Sequence, residues 1–115
     1  MSLTVDLKLK MCRKVVAAAG TPEALVTGRR DDWRCLALRI RAYKTNTGNV
    51  YLGGSNEVSA ADYSDILAPG ESWEVRVGEI DRKLGAFFDM TQIWLDVDTS
   101  GDGISYTAVM EMNPY

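Results

Sequence analysis

The chain has 115 residues, 46% of them hydrophobic and 25% charged, with a formal net charge of −3 and no histidine. That size and composition fit one ordered domain, expected to span residues 1–115. They leave no apolar run near the ~20 residues that span a bilayer, and the net negative charge argues against nucleic acid as the main partner. Without histidine the commonest general base, the commonest metal ligand and any histidine triad are missing.

Leu3, Val5, Leu7, Leu9 and Met11 alternate with Thr4, Asp6, Lys8 and Lys10. This is the period-two pattern of a half-buried strand, with the apolar side chains expected inward. The opening residues hold no apolar signal core and no cleavage site, so export is not expected. Lys14 to Ala18 reads as a second short strand, broken by Gly20 and Pro22. Ala24 to Thr27 reads as a third, followed by a polar loop, GRRDDW.

Arg34 to Tyr43 is a clear strand. Leu36, Leu38, Ile40 and Ala42 form its core face, and Arg39, Arg41 and Tyr43 form the other. Asn46-Thr47-Gly48 then lies between two alternating runs. That is hairpin chemistry, because Asn and Gly tolerate positive φ. Val50 and Leu52 continue the core face, and Gly53-Gly54 ends the strand. The stretch SNEVSAADYSDILAPGES reads as a long polar connection with a turn at Pro69-Gly70.

Trp73, Val75 and Val77 alternate with Glu74 and Arg76 in a further strand. EIDRKLGAFFDM has room for a helical turn carrying Ile80, Leu84 and Phe87, stopped by Gly85. Thr91 to Val97 alternates with Ile93, Leu95 and Val97 inward, and Ile104, Tyr106, Ala108, Met110 and Met112 close the pattern. The expected fold is all-β: an antiparallel β-sandwich or flattened barrel of seven to eight short strands.

The acidic stretch DVDTSGDGISYT resembles a calcium loop at first sight. Counted from Asp98, it offers Ser100, Asp102 and Gly103 at the expected places, but Val109 stands where the closing Glu is needed. Both flanks have strand periodicity. The stretch is therefore read as the tip of the hairpin joining the last two strands, with Gly101 and Gly103 at positive φ. Replacing Asp98 and Asp102 by Asn is expected to leave folding intact.

No metal, cofactor-binding or catalytic residues are assigned. Asp62/Asp65 and Asp96/Asp98 are read as solvated carboxylates, and no nucleophile–base constellation can be assembled, so an enzyme is not expected. Cys12 and Cys35 match no zinc spacing and read as buried free thiols, a cross-strand disulfide being the alternative. Trp33, Trp73 and Trp94 are core or interface anchors, or a sugar-binding platform.

Charge is distributed unevenly. Met1 to Lys44 holds ten Lys/Arg and four Asp/Glu, a net of +6; Thr45 to Tyr115 holds three and twelve, a net of −9. Such asymmetry fits either a basic and an acidic face making complementary contacts between subunits, or basic and acidic strands that lie side by side and neutralise one another. The candidate interface residues are Arg29, Arg30, Trp33, Arg39, Arg41, Asp62, Asp65 and Glu71, with Glu74 beside them.

Two segments carry a family resemblance. TNTGNVYLGGSNEVS, followed by ILAPGESWEV, resembles a pattern in small all-β virion proteins of tailed bacteriophages. Its matching residues are Asn46, Gly48, Val50, Tyr51, Gly53, Leu67, Pro69, Gly70 and Glu71. The resemblance covers about a third of the chain and implies a structural protein of the particle, without chemistry. A capsid decoration (cement) protein is the leading expectation. It would be a homotrimer bound to the major capsid protein or other virion proteins, assembled in the host cytoplasm, with no membrane or sequence-specific nucleic-acid partner. The alternatives are a head-to-tail connector or tail-attached module, and a carbohydrate-binding β-sandwich.

Overall fold

A computed structural model describes residues 7–26, 33–78 and 88–112. Among the described residues, eight strands form two four-stranded sheets. They are β1 (Leu7–Val15), β2 (Glu23–Ala24), β3 (Trp33–Ala42), β4 (Val50–Gly53), β5 (Asp65–Leu67), β6 (Ser72–Arg76), β7 (Trp94–Val97) and β8 (Gly103–Met112). One 3-10 turn, Met90–Gln92, precedes β7. The first sheet has the order β1-β8-β3-β6 and the second β2-β7-β4-β5, antiparallel throughout. The expected β-sandwich is therefore the observed architecture. Every connection except β4–β5 crosses from one sheet to the other, which is jelly-roll topology.

The core lies between the sheets. Leu38 and Ile40 of β3, Val50 of β4, Leu95 of β7 and Ile104 of β8 are almost wholly buried there, with Val16 and Cys35. The alternation read for β3 holds: Leu38, Ile40 and Ala42 face inward, while Arg39 and Arg41 are exposed. A register shift between Cys35 and Ala37 makes a bulge at Leu36, which is buried but outside the main core cluster. Cys12 and Cys35 are free thiols, and burial pushes the Cys35 thiol up to about 11.

Several expectations are corrected. Leu9 and Met11 do not face the core: they are 66% and 73% exposed. β1 is an edge strand whose Cys12 lies opposite Tyr106 and packs on the core, so the residues alternating with Cys12 point outward. Leu3 and Val5 lie outside the described residues. Lys14 and Val15 belong to β1, and no separate strand follows them. β2 is shorter than expected and begins at Glu23. The polar connection after β4 contains an unforeseen strand, β5, which pairs with β4 at Val50–Leu67 and Leu52–Asp65. Thr91 sits in the 3-10 turn and not in a strand. The helical turn expected around Ile80 and Leu84 lies outside the described residues.

Neither expected hairpin exists. β3 and β4 lie in different sheets, as do β7 and β8, so segments 43–49 and 98–102 are arches between layers. Of their glycines, Gly101 has positive φ, at 91°, while Gly48 and Gly103 do not. Those two allow close approach instead. A Cβ on Gly48 would sit 2.6 Å from Asp98 Cβ, and one on Gly103 would sit 2.5 Å from the Lys14 carbonyl oxygen.

Candidate interaction face

Three arches, 16–22, 43–49 and 98–102, meet at one end of the sandwich, and carboxylates tie them together. The Asp102 carboxylate accepts the backbone N–H groups of Thr47 and Gly48 at 3.0 and 2.9 Å. Asp98 accepts the Asn49 N–H at 3.0 Å and the Tyr51 hydroxyl at 2.7 Å. That hydroxyl bond, and secondarily burial, raises the Tyr51 pKa. Asp96 accepts the Gly20 N–H at 2.9 Å, and Ser100 Oγ accepts that of Ala19 at 2.9 Å. Asn46 exchanges two hydrogen bonds with the Gly103 backbone. The acidic stretch is thus a set of backbone acceptors that pins loops 16–20 and 43–49. Asp98 and Asp102 are thus more than residues of a solvated tip: their oxygens satisfy amides that the arches leave unpaired.

Among the described residues, the 54–64 loop between β4 and β5 lies at the other end of the molecule. Ser59 and Asp62 bridge there, and Tyr63 stacks obliquely on Tyr51 with centroids 5.2 Å apart. On the β1/β2 side, Lys14 and Glu23 form an ion pair of 3.0 Å between the two sheets. A backbone bond from Ala17, and secondarily Lys14, lowers the Glu23 pKa.

The outer face of the first sheet is built differently. Register places its outward side chains in three rows. Leu9, Val109, Ala37 and Arg76 form the first; Met11, Thr107, Arg39 and Glu74 the second; Arg13, Ser105, Arg41 and Ser72 the third. Leu9 and Met11 make one side apolar, while Arg39, Arg41, Glu74 and Arg76, all exposed, make the centre and far side charged. A shallow depression lies between Ala37, Val109 and the Arg39–Glu74 pair of positions. Arg39 donates to Ser72 Oγ at 3.4 Å, which leans its guanidinium along β6.

Of the candidate interface residues, Arg39 and Arg41 lie on this face. Asp62, Asp65 and Glu71 do not. Asp62 is in the 54–64 loop, Asp65 opens the edge strand β5, and Glu71 caps the arch into β6 by accepting the Ala68 N–H at 2.7 Å. Arg29 and Arg30 lie outside the described residues, as does the Trp33 side chain. Trp73 packs against the core from β6, while Trp94 alternates with buried Leu95 on the other sheet, so these two tryptophans share no platform. Leu9 and Met11 were missed as surface residues. Arg13 carried the available signal, because it interrupts the Leu7–Leu9–Met11 frame while Cys12 and buried Val16 share the other.

Neither a protein-family model nor a curated protein matches this chain.

Proposed function

We propose that this protein is a structural component of a tailed-phage virion, most simply a capsid decoration protein that bridges shell subunits through the outer face of the β1-β8-β3-β6 sheet. One observation carries the reading. Leu9 and Met11 stand exposed beside a charged field of Arg39, Arg41, Glu74 and Arg76 on a rigid sheet. An apolar anchor rimmed by charge is the composition of protein interfaces: the anchor supplies affinity, and the charges supply orientation and on-rate. The jelly roll supports the reading by analogy only, since capsid domains share it with lectins and cupins. The phage-like turn residues contribute local structure: Gly48 packs on Asp98, and Gly70 makes the positive-φ turn into β6.

The test uses purified particles and particles lacking the protein. A decoration protein is present in hundreds of copies, whereas a connector is present in about a dozen. Loading onto depleted particles is expected to slow in high salt without being abolished. If the protein neither co-purifies with particles nor loads onto any shell, the virion reading fails. Quenching of tryptophan fluorescence by glycans would then favour the sugar-binding alternative.

A further inference from the structure

The outer face of the β1-β8-β3-β6 sheet is grooved along β8. The outward side chains of that strand, Ser105, Thr107 and Val109, are short, while Leu9 and Met11 stand on β1 and Arg39 and Arg41 on β3. Neighbouring strands lie about 4.8 Å apart, which sets the two walls roughly 10 Å apart over a floor about 13 Å long. One wall is apolar and exposed, and the other is cationic. At Ala37 the arginine wall is interrupted, and the groove opens into a depression of about 220 Å³ bordered by Thr107, Val109, Arg39, Glu74 and Arg76.

The described side chains on this face carry Arg13, Arg39, Arg41 and Arg76 against Glu74, a net of +3 on a chain whose total is −3. Beyond its arch end, exposed Lys44 and Glu71 cancel. All four cations of the face are arginines, whereas Lys10 and Lys14 belong to the other frame of β1, with Cys12. Among the described residues, no carboxylate forms an ion pair with any of these arginines, and Lys14–Glu23 is the one ion pair. Glu74 stands opposite Arg39 in register, yet Arg39 donates to Ser72 instead. Protein interfaces are enriched in arginine and depleted of lysine, and a guanidinium grips a carboxylate with two parallel bonds.

We propose that this groove receives an acidic peptide segment of the binding partner, its apolar side chains against Leu9 and Met11 and its carboxylates against Arg39 and Arg41. The proposal rests on the outer-face docking of the proposed function and names the chemistry of the partner. Charge complementarity selects an acidic occupant. The apolar wall selects a peptide over a nucleic-acid backbone, because phosphates engage arginines and offer nothing to Leu9 and Met11.

The probe is a twelve-residue peptide of repeating Glu-Leu-Asp-Ala, titrated into isotope-labelled protein and followed by the amide resonances. At low salt it is expected to bind with a Kd below about 1 mM and to shift the amides of Met11, Arg39, Arg41, Thr107 and Val109. Added salt should weaken it. Arg39→Glu with Arg41→Glu, both at exposed positions, should weaken it at least tenfold, with circular dichroism checking the fold. The same peptide with Lys for Glu and Asp should bind at least tenfold more weakly than the acidic one. Binding absent at 1 mM, shifts confined to the arch end, or equal binding of the basic peptide would each overturn the proposal. So would tighter binding of a twelve-nucleotide oligothymidylate, or face amides that shift with protein concentration alone, which would make a second copy the occupant. Loading onto depleted particles separates the two readings. A protein that loads onto no shell yet binds the acidic peptide in the groove loses the virion reading and keeps this one; a protein that loads but ignores the peptide does the reverse.

Discussion

Asp102 and Gly48 are 54 residues apart in sequence, yet the Asp102 carboxylate accepts the Gly48 N–H at 2.9 Å. The same oxygen accepts the Thr47 N–H, and the residue is only 8% exposed. One side chain therefore locks the β3–β4 arch to the β7–β8 arch. Asp102→Ala leaves two amides without their acceptor and is expected to destabilise the fold by about 2–3 kcal/mol. Asp102→Asn keeps an acceptor but loses the charge, so its cost should be smaller. Urea denaturation with unchanged m-value measures both. Wild-type stability in Asp102→Ala would refute this role.

Close approach and not backbone conformation makes glycine necessary at position 103. A Cβ there would meet the Lys14 carbonyl oxygen, a backbone atom that cannot swing aside. Gly103→Ala is expected to cost on the order of 1–3 kcal/mol. Gly54→Ala, with open space around the new methyl, is expected to be neutral within about 0.5 kcal/mol. Thermal melts of the two variants side by side decide the point.

Leu38 is 1% exposed at the middle of β3, between β8 and β6. Leu38→Ala removes buried methyl groups from a packed interior and is expected to cost about 2–5 kcal/mol. That is a large share of the stability of a domain this size. Retention of wild-type denaturant stability would show that the core is centred elsewhere.

Glu23 gives the fold an acid-sensitive contact. Its folded-state pKa is lowered below 4.5 by the Ala17 N–H and Lys14. A lowered carboxylate contributes stability above its unfolded pKa and loses it as pH falls through the folded value. The stability difference between wild type and Glu23→Gln should therefore be present near pH 6 and shrink progressively below about pH 4.5. With the side chain 31% exposed, added salt should shrink it as well. A difference constant from pH 6 to pH 3 would mean that the carboxylate charge plays no part.

Leu9 and Met11 are exposed enough that polar replacements should be tolerated. Leu9→Lys with Met11→Lys is expected to change stability by no more than about 0.5 kcal/mol per site. If the outer face is the docking surface, the same double variant should load onto depleted particles at least tenfold more weakly, mainly through faster release. Charge reversal at Arg39 and Arg41 should instead slow loading more than it speeds release. Unchanged loading by both variants would move the docking surface elsewhere on the molecule.

Alternation in the sequence was enough to establish an all-β chain, because period two is a local property of the strand. It also oriented β3 correctly, where Arg39 and Arg41 oppose Leu38 and Ile40 and only one face can be buried. In β1 the same pattern misled. Leu9 and Met11 look like a core face, but an edge strand buries little, and the pairing of Cys12 with Tyr106 decides which frame points inward. Turn residues marked where the chain bends at 46–48 and 98–103 without showing which sheet it enters next. A hairpin and an arch use the same Asn, Asp and Gly. What separates them is whether the flanking strands pair with each other or with strands far away, such as β3 with β8 and β4 with β7. That choice belongs to the burial of both layers at once, and it makes Asp96 and Asp102 buried acceptors that help hold the arches together.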